Sequence, residues 1–174
     1  MGNIMGMSMK YTSDKLENMM AKARLLGKAI GNIPTKCGHT MYILKDILDG
    51  AALLYIPDDV ETVKEDDQSG IWLGLYPTYC NIECKTLIVY GGRNLKDANG
   101  MFSGCKAQSL DLSNFDTSKV TNMSDMFRGC KAESIDLSSF DTSNVADMRA
   151  MFYLCEAQSL DLSSFDTSKG YKEF

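Results

Sequence analysis

Cys105, Cys130 and Cys155 stand 25 residues apart, and Asp111, Asp136 and Asp161 keep the same interval. Thiols in line could hold a metal ion or form a disulfide, although three cannot all pair with one another. The simpler reading is a small apolar side chain ending each repeating piece inside a core, and Cys105, Cys130 and Cys155 are taken that way. Met126 and Met151 join them as a core row. Aspartates in line on an outward face would put carboxylates about 5 Å apart. They repel one another by roughly 1 kcal/mol even in water, and they attract a basic surface or a cation such as Ca2+. A solvated face relieved by serines is the plainer alternative. Asp111, Ser113, Asp136, Ser138, Asp161 and Ser163 form the candidate partner-binding face. Asp116, Asp141 and Asp166 read as turn and cap residues.

The remaining reactive side chains are sparse. Cys80 and Cys84 could pair, or hold a metal with Cys37 and His39, but Cys-x3-Cys is not the usual zinc-knuckle spacing, and core or loop thiols are favoured. A single histidine in 174 residues excludes a multi-histidine metal centre. No phosphate loop, nucleophile elbow or paired Cys–His motif is present. The expectation is a protein that is not an enzyme, with no cofactor and no metal. Redox chemistry at Cys80 and Cys84 is the minor enzymatic alternative.

The elements that position these residues follow from an internal repeat. Leu110-Asp-Leu-Ser-Asn-Phe115-Asp-Thr-Ser-Lys-Val120 and the residues to Ser134 match Ile135 to Ser159 position for position, and a third copy runs from Leu160 to Lys169. An older copy places Leu87, Tyr90, Leu95, Met101-Phe102 and Cys105 in the same frame. Leu110 and Leu112 alternate with Asp111 and Ser113, as in a strand with one buried face. Val120, Met123, Met126/Phe127 and Cys130 recur at three and four, as in a short helix. A strand plus a short helix in 25 residues predicts an α/β leucine-rich repeat solenoid.

The pattern Leu-Asp-Leu-Ser-x-Phe-Asp-Thr-Ser-x-Val-x-x-Met-x-x-Met-Phe-x-x-Cys resembles the leucine-rich repeats of bacterial surface antigens, the BspA-like family. Residues 101–169 match it closely and 85–100 loosely. The resemblance implies a non-enzymatic module that binds protein, as in surface and adhesion proteins, and a bacterial or phage origin.

Three parts are expected. Residues 1–50 form a helical N-terminal cap or docking segment, 51–84 an irregular β-rich lead-in, and 85–174 the repeat solenoid. Asp14 with Glu17 starts a helix over 14–30, with Leu16, Met19/Met20, Ala23, Leu26 and Ile30 as its apolar stripe. A second helix is expected at about 40–49, with Leu44, Ile47 and Leu48 on one face. Ala51–Ile56 and Thr86–Tyr90 read as strands.

The net charge of −5 is uneven: residues 1–50 carry +3, residues 51–100 carry −4 and residues 101–174 carry −4. An acidic body argues against direct nucleic-acid binding. No run approaches a membrane span, and no secretory signal is visible. The chain as given is expected in the cytoplasm unless it is truncated or exported by another route. The expected partner is a protein with a basic surface, with self-association through the C-terminal coil or the N-terminal helix as a further possibility. A prophage-encoded intracellular protein, either a tail component or an acidic inhibitor of a host or nucleic-acid-binding factor, is the alternative function. Residues 14–30 also resemble the N-terminal segment of some prophage tail-associated proteins.

Overall fold

A computed structural model of the chain describes residues 30–35, 37–45, 50–63 and 77–169, with Asn18 and Ala21. Six strands form one mixed sheet in sequence order: β1 (Ile30–Pro34), β2 (Thr40–Leu44), β3 (Ala51–Ile56), β4 (Thr86–Gly91), β5 (Ser109–Phe115) and β6 (Ser134–Ile135). The first three are antiparallel neighbours, and β3 to β6 run parallel. Their sequences alternate as half-buried strands require. Met41 and Ile43, Ala52, Leu54 and Ile56, Leu87 and Val89, and Leu110 and Leu112 all point into the main core.

Opposite the sheet, each repeat crosses the core as a ribbon of overlapping turns. Cys130 N–H bonds to Phe127 O, Arg128 N–H to Asp125 O and Met126 N–H to Met123 O. The intervening N–H groups leave the unit altogether: those of Met123, Asp125, Phe127 and Gly129 donate to Asp147, Arg149, Met151 and Tyr153 carbonyls of the next repeat. On the return side the direction reverses, with Lys131 N–H bonding back to Cys105 O and Glu156 N–H to Cys130 O. In the last repeat the N–H groups of Met148, Ala150, Phe152 and Leu154 have no backbone acceptor among the described residues.

Columns of like side chains fill the space between sheet and ribbons. Phe102, Phe127 and Phe152 stack at 5.3 and 5.4 Å between centroids, and Phe115, Phe140 and Phe165 stand 5.9 and 6.2 Å apart. Buried Thr117 donates its hydroxyl to Asp141 O and accepts the Asp141 N–H at 2.8 Å. Thr142 repeats this with Asp166. No buried side-chain nitrogen or oxygen among the described residues lacks a hydrogen-bond partner, as a satisfied interior requires.

This architecture corrects the expected α/β solenoid with a helical cap. The described residues are nearly all β and loop: apart from helical backbone at Asn18 and Ala21, the helical structure among them is a single 3-10 turn at Thr78–Asn81. The three-and-four spacing of Val120, Met123, Met126 and Cys130 belongs to overlapping turns. Asp125 and Gly129 sit at positive φ (55° and 61°) and break any helix, and their N–H groups bond to the next repeat rather than four residues back. The helix expected at 40–49 is overturned at Thr40–Leu44, which is β2 paired with β1 and β3. Residues 46–49 lie outside the described residues. So does the helix expected over 14–30, apart from Asn18, Ala21 and Ile30, and Ile30 belongs to β1.

Gly104, Gly129 and Leu154 share the left-handed position that ends each ribbon, with φ of 62°, 61° and 57°. A leucine costs about 1–2 kcal/mol there, and Leu154 is 71% exposed, so it gains little by packing. Glycine relieves the strain but raises the unfolded chain's entropy by about 0.5–1 kcal/mol. Leu154→Gly is therefore expected to stabilise the protein by about 0.5–1 kcal/mol, measurable as a raised denaturation midpoint.

Candidate partner-binding face

Of the candidate residues, Asp111 and Ser113 lie in the sheet, on β5, and Asp136, Ser138, Asp161 and Ser163 lie outside its strands. Ile88 of β4 lies in register with Asp111 of β5, which stands half-buried beside Ser113. Asp136, Ser138, Asp161 and Ser163 are exposed on the following repeats. Each aspartate does local work. Asp111 Oδ1 accepts the Ser113 N–H at 3.1 Å and its hydroxyl at 2.7 Å, Asp136 Oδ1 accepts the Ser138 N–H at 3.0 Å, and Asp161 Oδ1 accepts the Ser163 N–H at 2.9 Å. This is the Asx turn, in which a short carboxylate substitutes for a backbone acceptor. In β5 it coincides with a register shift opposite Ile88 and Tyr90.

The Asp116 column is built the same way. Asp116, Asp141 and Asp166 accept N–H bonds from Ser118, Ser143 and Ser168 at 3.0, 2.9 and 2.8 Å. A third column, Asp97, Asn122 and Asp147, accepts from Asn99, Ser124 and Arg149, each at 3.0 Å. The sequence reading divided outward aspartates from turn aspartates. Both columns are turn aspartates, and the shared Asp-x-Ser spacing was the available sign.

The serine hydroxyl and then the serine N–H hold the Asp141, Asp161 and Asp166 carboxyls below the usual carboxylate range. A depressed folded-state value means stability that is present above the unfolded value and lost as pH falls through the folded one. Thermal stability is therefore expected to hold from pH 7 to about pH 5 and to decline below about pH 4. Asp141→Asn, Asp161→Asn and Asp166→Asn together should flatten that decline, because asparagine keeps the acceptor and does not titrate. Asn122 already fills this role, accepting the Ser124 N–H and its hydroxyl at 3.0 and 2.7 Å.

The cysteines form a longer column than the period suggested. Cys105 and Cys130 are fully buried, and Cys155 is half-buried. The thiols of Cys155, Cys130, Cys105 and Cys80 influence one another in that order along the column, and the Cys80 thiol donates to Met101 O at 3.4 Å. Cys80 lies 25 residues before Cys105, a match the sequence reading missed by pairing it with Cys84. Met126 and Met151 are fully buried beside the column. All six cysteines are free thiols, and no group of three or more His, Cys, Asp or Glu among the described residues is placed to hold a metal ion. His39 Nδ1 instead lies 3.1 Å from Asp59 Oδ2.

Reactivity follows the environments. The Cys105 thiol, with burial, pushes the Cys130 thiol up to about 12. For Cys105 the Cys130 thiol pulls down, but the Cys80 thiol and burial push it up to about 12. Burial also pushes Cys84 up. At Cys37 burial pushes up, but bonds from the Thr35 hydroxyl, 2.9 Å away, and from the backbone at Glu61, His39 and Thr62 hold the thiol below its ordinary value. A thiol reagent at about pH 8 is expected to modify Cys37 first, with Cys105 and Cys130 reacting only on unfolding. Mass mapping of the labelled cysteines over time checks this order.

A second feature of the outward face was not foreseen. Tyr42, Tyr55 and Tyr90 stand in register across β2, β3 and β4 and stack at 6.3 and 5.6 Å. Their intervals in the chain follow no period, so only the strand pairing aligns them.

No helix among the described residues is long and apolar enough to cross a membrane. No curated protein and no solved structure matches the chain. Residues 79–173, which hold the repeat frame from the Cys80 thiol through the three aspartate columns, match the family described as "Mycoplasma protein of unknown function, DUF285". That match spans more than half of the sequence, and the chain belongs to the DUF285 family.

Proposed function

We propose that the chain is a non-enzymatic protein-recognition module, akin to the BspA-like surface antigens that its repeats resemble. A partner with a basic surface docks on the outward face at Asp111, Ser113, Asp136, Ser138, Asp161 and Ser163. The observation that supports this reading is the column of carboxylates, one per repeat, each fixed by its own Asx turn. Fixed side chains lose little entropy on binding, and a row of like charges steers an oppositely charged partner at long range.

The test exploits the asparagine precedent. Asp111→Asn, Asp136→Asn and Asp161→Asn together remove three charges and keep the turns. Asp116→Asn, Asp141→Asn and Asp166→Asn together remove three charges elsewhere and serve as the control. Immobilised wild-type and variant chains are compared for quantitative capture of partners from the source cell at two salt concentrations. A partner captured by the wild type and the control in a salt-sensitive way, but lost with the first variant at unchanged thermal stability, supports the face. Equal capture by all three chains, or equal loss in both variants, rejects it.

A further inference from the structure

The sheet has a second apolar cluster on the side away from the main core. Leu44, Leu53 and Ile88 lie in one row across β2, β3 and β4. They are only 2%, 0% and 2% exposed and belong with Ala51 to a cluster separate from the main one. Their own sheet cannot hide them. The row on one side is Ala51, Thr86 and Ser109, whose side chains are too short to close over a leucine. The tyrosine row on the other side is itself only partly buried. Every described turn ribbon packs on the opposite face.

We propose that the occupant of this face is the chain's own N-terminal segment, residues 1–29. Four observations point there. The segment leads into Ile30, which pairs with Leu44 at the head of the buried row. Leu16, Met19, Met20, Ala23 and Leu26 recur at spacings that gather on one side. Asn18 and Ala21, the two described residues of the segment, have helical backbone and are exposed, and that spacing places them on the other side. The segment carries five basic and two acidic side chains, and the buried row ends in register at Asp111.

The length also fits. β2 and β4 are about 10 Å apart, and one apolar stripe with its side chains covers about that width. Residues 64–76 are the main rival, but they leave from Val63, in the main core on the opposite face, and return at Pro77, three residues before Cys80 of the same core.

The experiment uses the full chain with methyl-labelled Met, Leu and Ile. Nuclear Overhauser cross-peaks from the Met19 or Met20 methyls to Leu53 and Ile88 are expected. Cross-peaks from those two residues to Ile47 and Leu48, to residues 71–75, or to sheet neighbours alone overturn the assignment. A second reading is trypsin cleavage after Lys22, Arg24 and Lys28. Leu53→Asp should speed it at least tenfold over the wild type while the amides of the Phe127 region stay protected from exchange. Unchanged cleavage with those amides protected counts against the proposal, and the cross-peaks decide the matter should the variant unfold.

Discussion

Gly91→Ala is expected to destabilise the protein by at least about 3 kcal/mol, a large share of the roughly 5–15 kcal/mol that holds a domain together. Two costs combine. Gly91 has φ of 96°, and a Cβ built there would lie 2.1 Å from the Ile56 carbonyl oxygen. That oxygen is fixed, because it accepts the Gly92 N–H at 3.0 Å, while the Gly91 carbonyl accepts from Asp116 at 2.9 Å. The ends of β3, β4 and the next repeat therefore meet at this one residue, and none can yield without breaking a backbone bond. Gly38→Ala separates the two costs. Gly38 has φ of 82° but nothing within 4 Å of its would-be Cβ, so only the conformational part, about 1–2 kcal/mol, is lost. Denaturant midpoints of the two variants give the steric part as their difference. Equal losses would show that the close approach to Ile56 carries no weight.

Phe127→Ala is expected to cost about 3–5 kcal/mol, as large-to-small changes of buried aromatics do. The ring is fully buried between Phe102 and Phe152 at 5.3 and 5.4 Å, with Phe140 tilted against it at 6.2 Å. Its removal leaves a hole in the middle of a column, where rings above and below are held by their own repeats and cannot close in. Phe152→Ala removes the same ring from a half-buried place in the column and should cost about half as much, since less area returns to water. Equilibrium unfolding of both variants checks the order, and a Phe152 loss equal to the Phe127 loss would contradict the column account.

The parts of this fold that the sequence disclosed are those that repeat. The interval from Leu110 to Ile135 to Leu160 marked strand positions, inward leucines and the phenylalanine and methionine columns, because each copy puts the same residue in the same place. Spacing alone could not separate a helix from a ribbon of turns. Both place Val120, Met123, Met126 and Cys130 on one side, and the deciding fact is where the Phe127 N–H goes. Positions such as Asp125 and Gly129 were the warning, since short polar or glycine residues tolerate positive φ. The head was misread at Thr40–Leu44, where the alternation of Met41 and Ile43 with Tyr42 and Leu44 is a strand pattern; the reading followed Leu44 into Ile47 and Leu48 instead. Cys80 escaped because the period breaks before it: Thr62 faces Asp97, 35 positions on, whereas Cys80 meets Cys105 after 25. The tyrosine row had no sequence signature, because Tyr42, Tyr55 and Tyr90 meet only through one antiparallel and one parallel pairing.

The hydrogen bonds between repeats have an evolutionary corollary. Each ribbon donates forward through alternate N–H groups and receives backward bonds on its return side, so neighbouring repeats join through matching bonds. A gene duplication that inserts 25 residues within this block finds its donors, acceptors, rings and threonines already matched. A deletion of the same length closes up as cleanly. An insertion of another length throws the phenylalanine and threonine columns out of line at once, unless it loops out between elements. The extent of the outward face can therefore change by whole repeats, about 5 Å at a time, without any new core being invented.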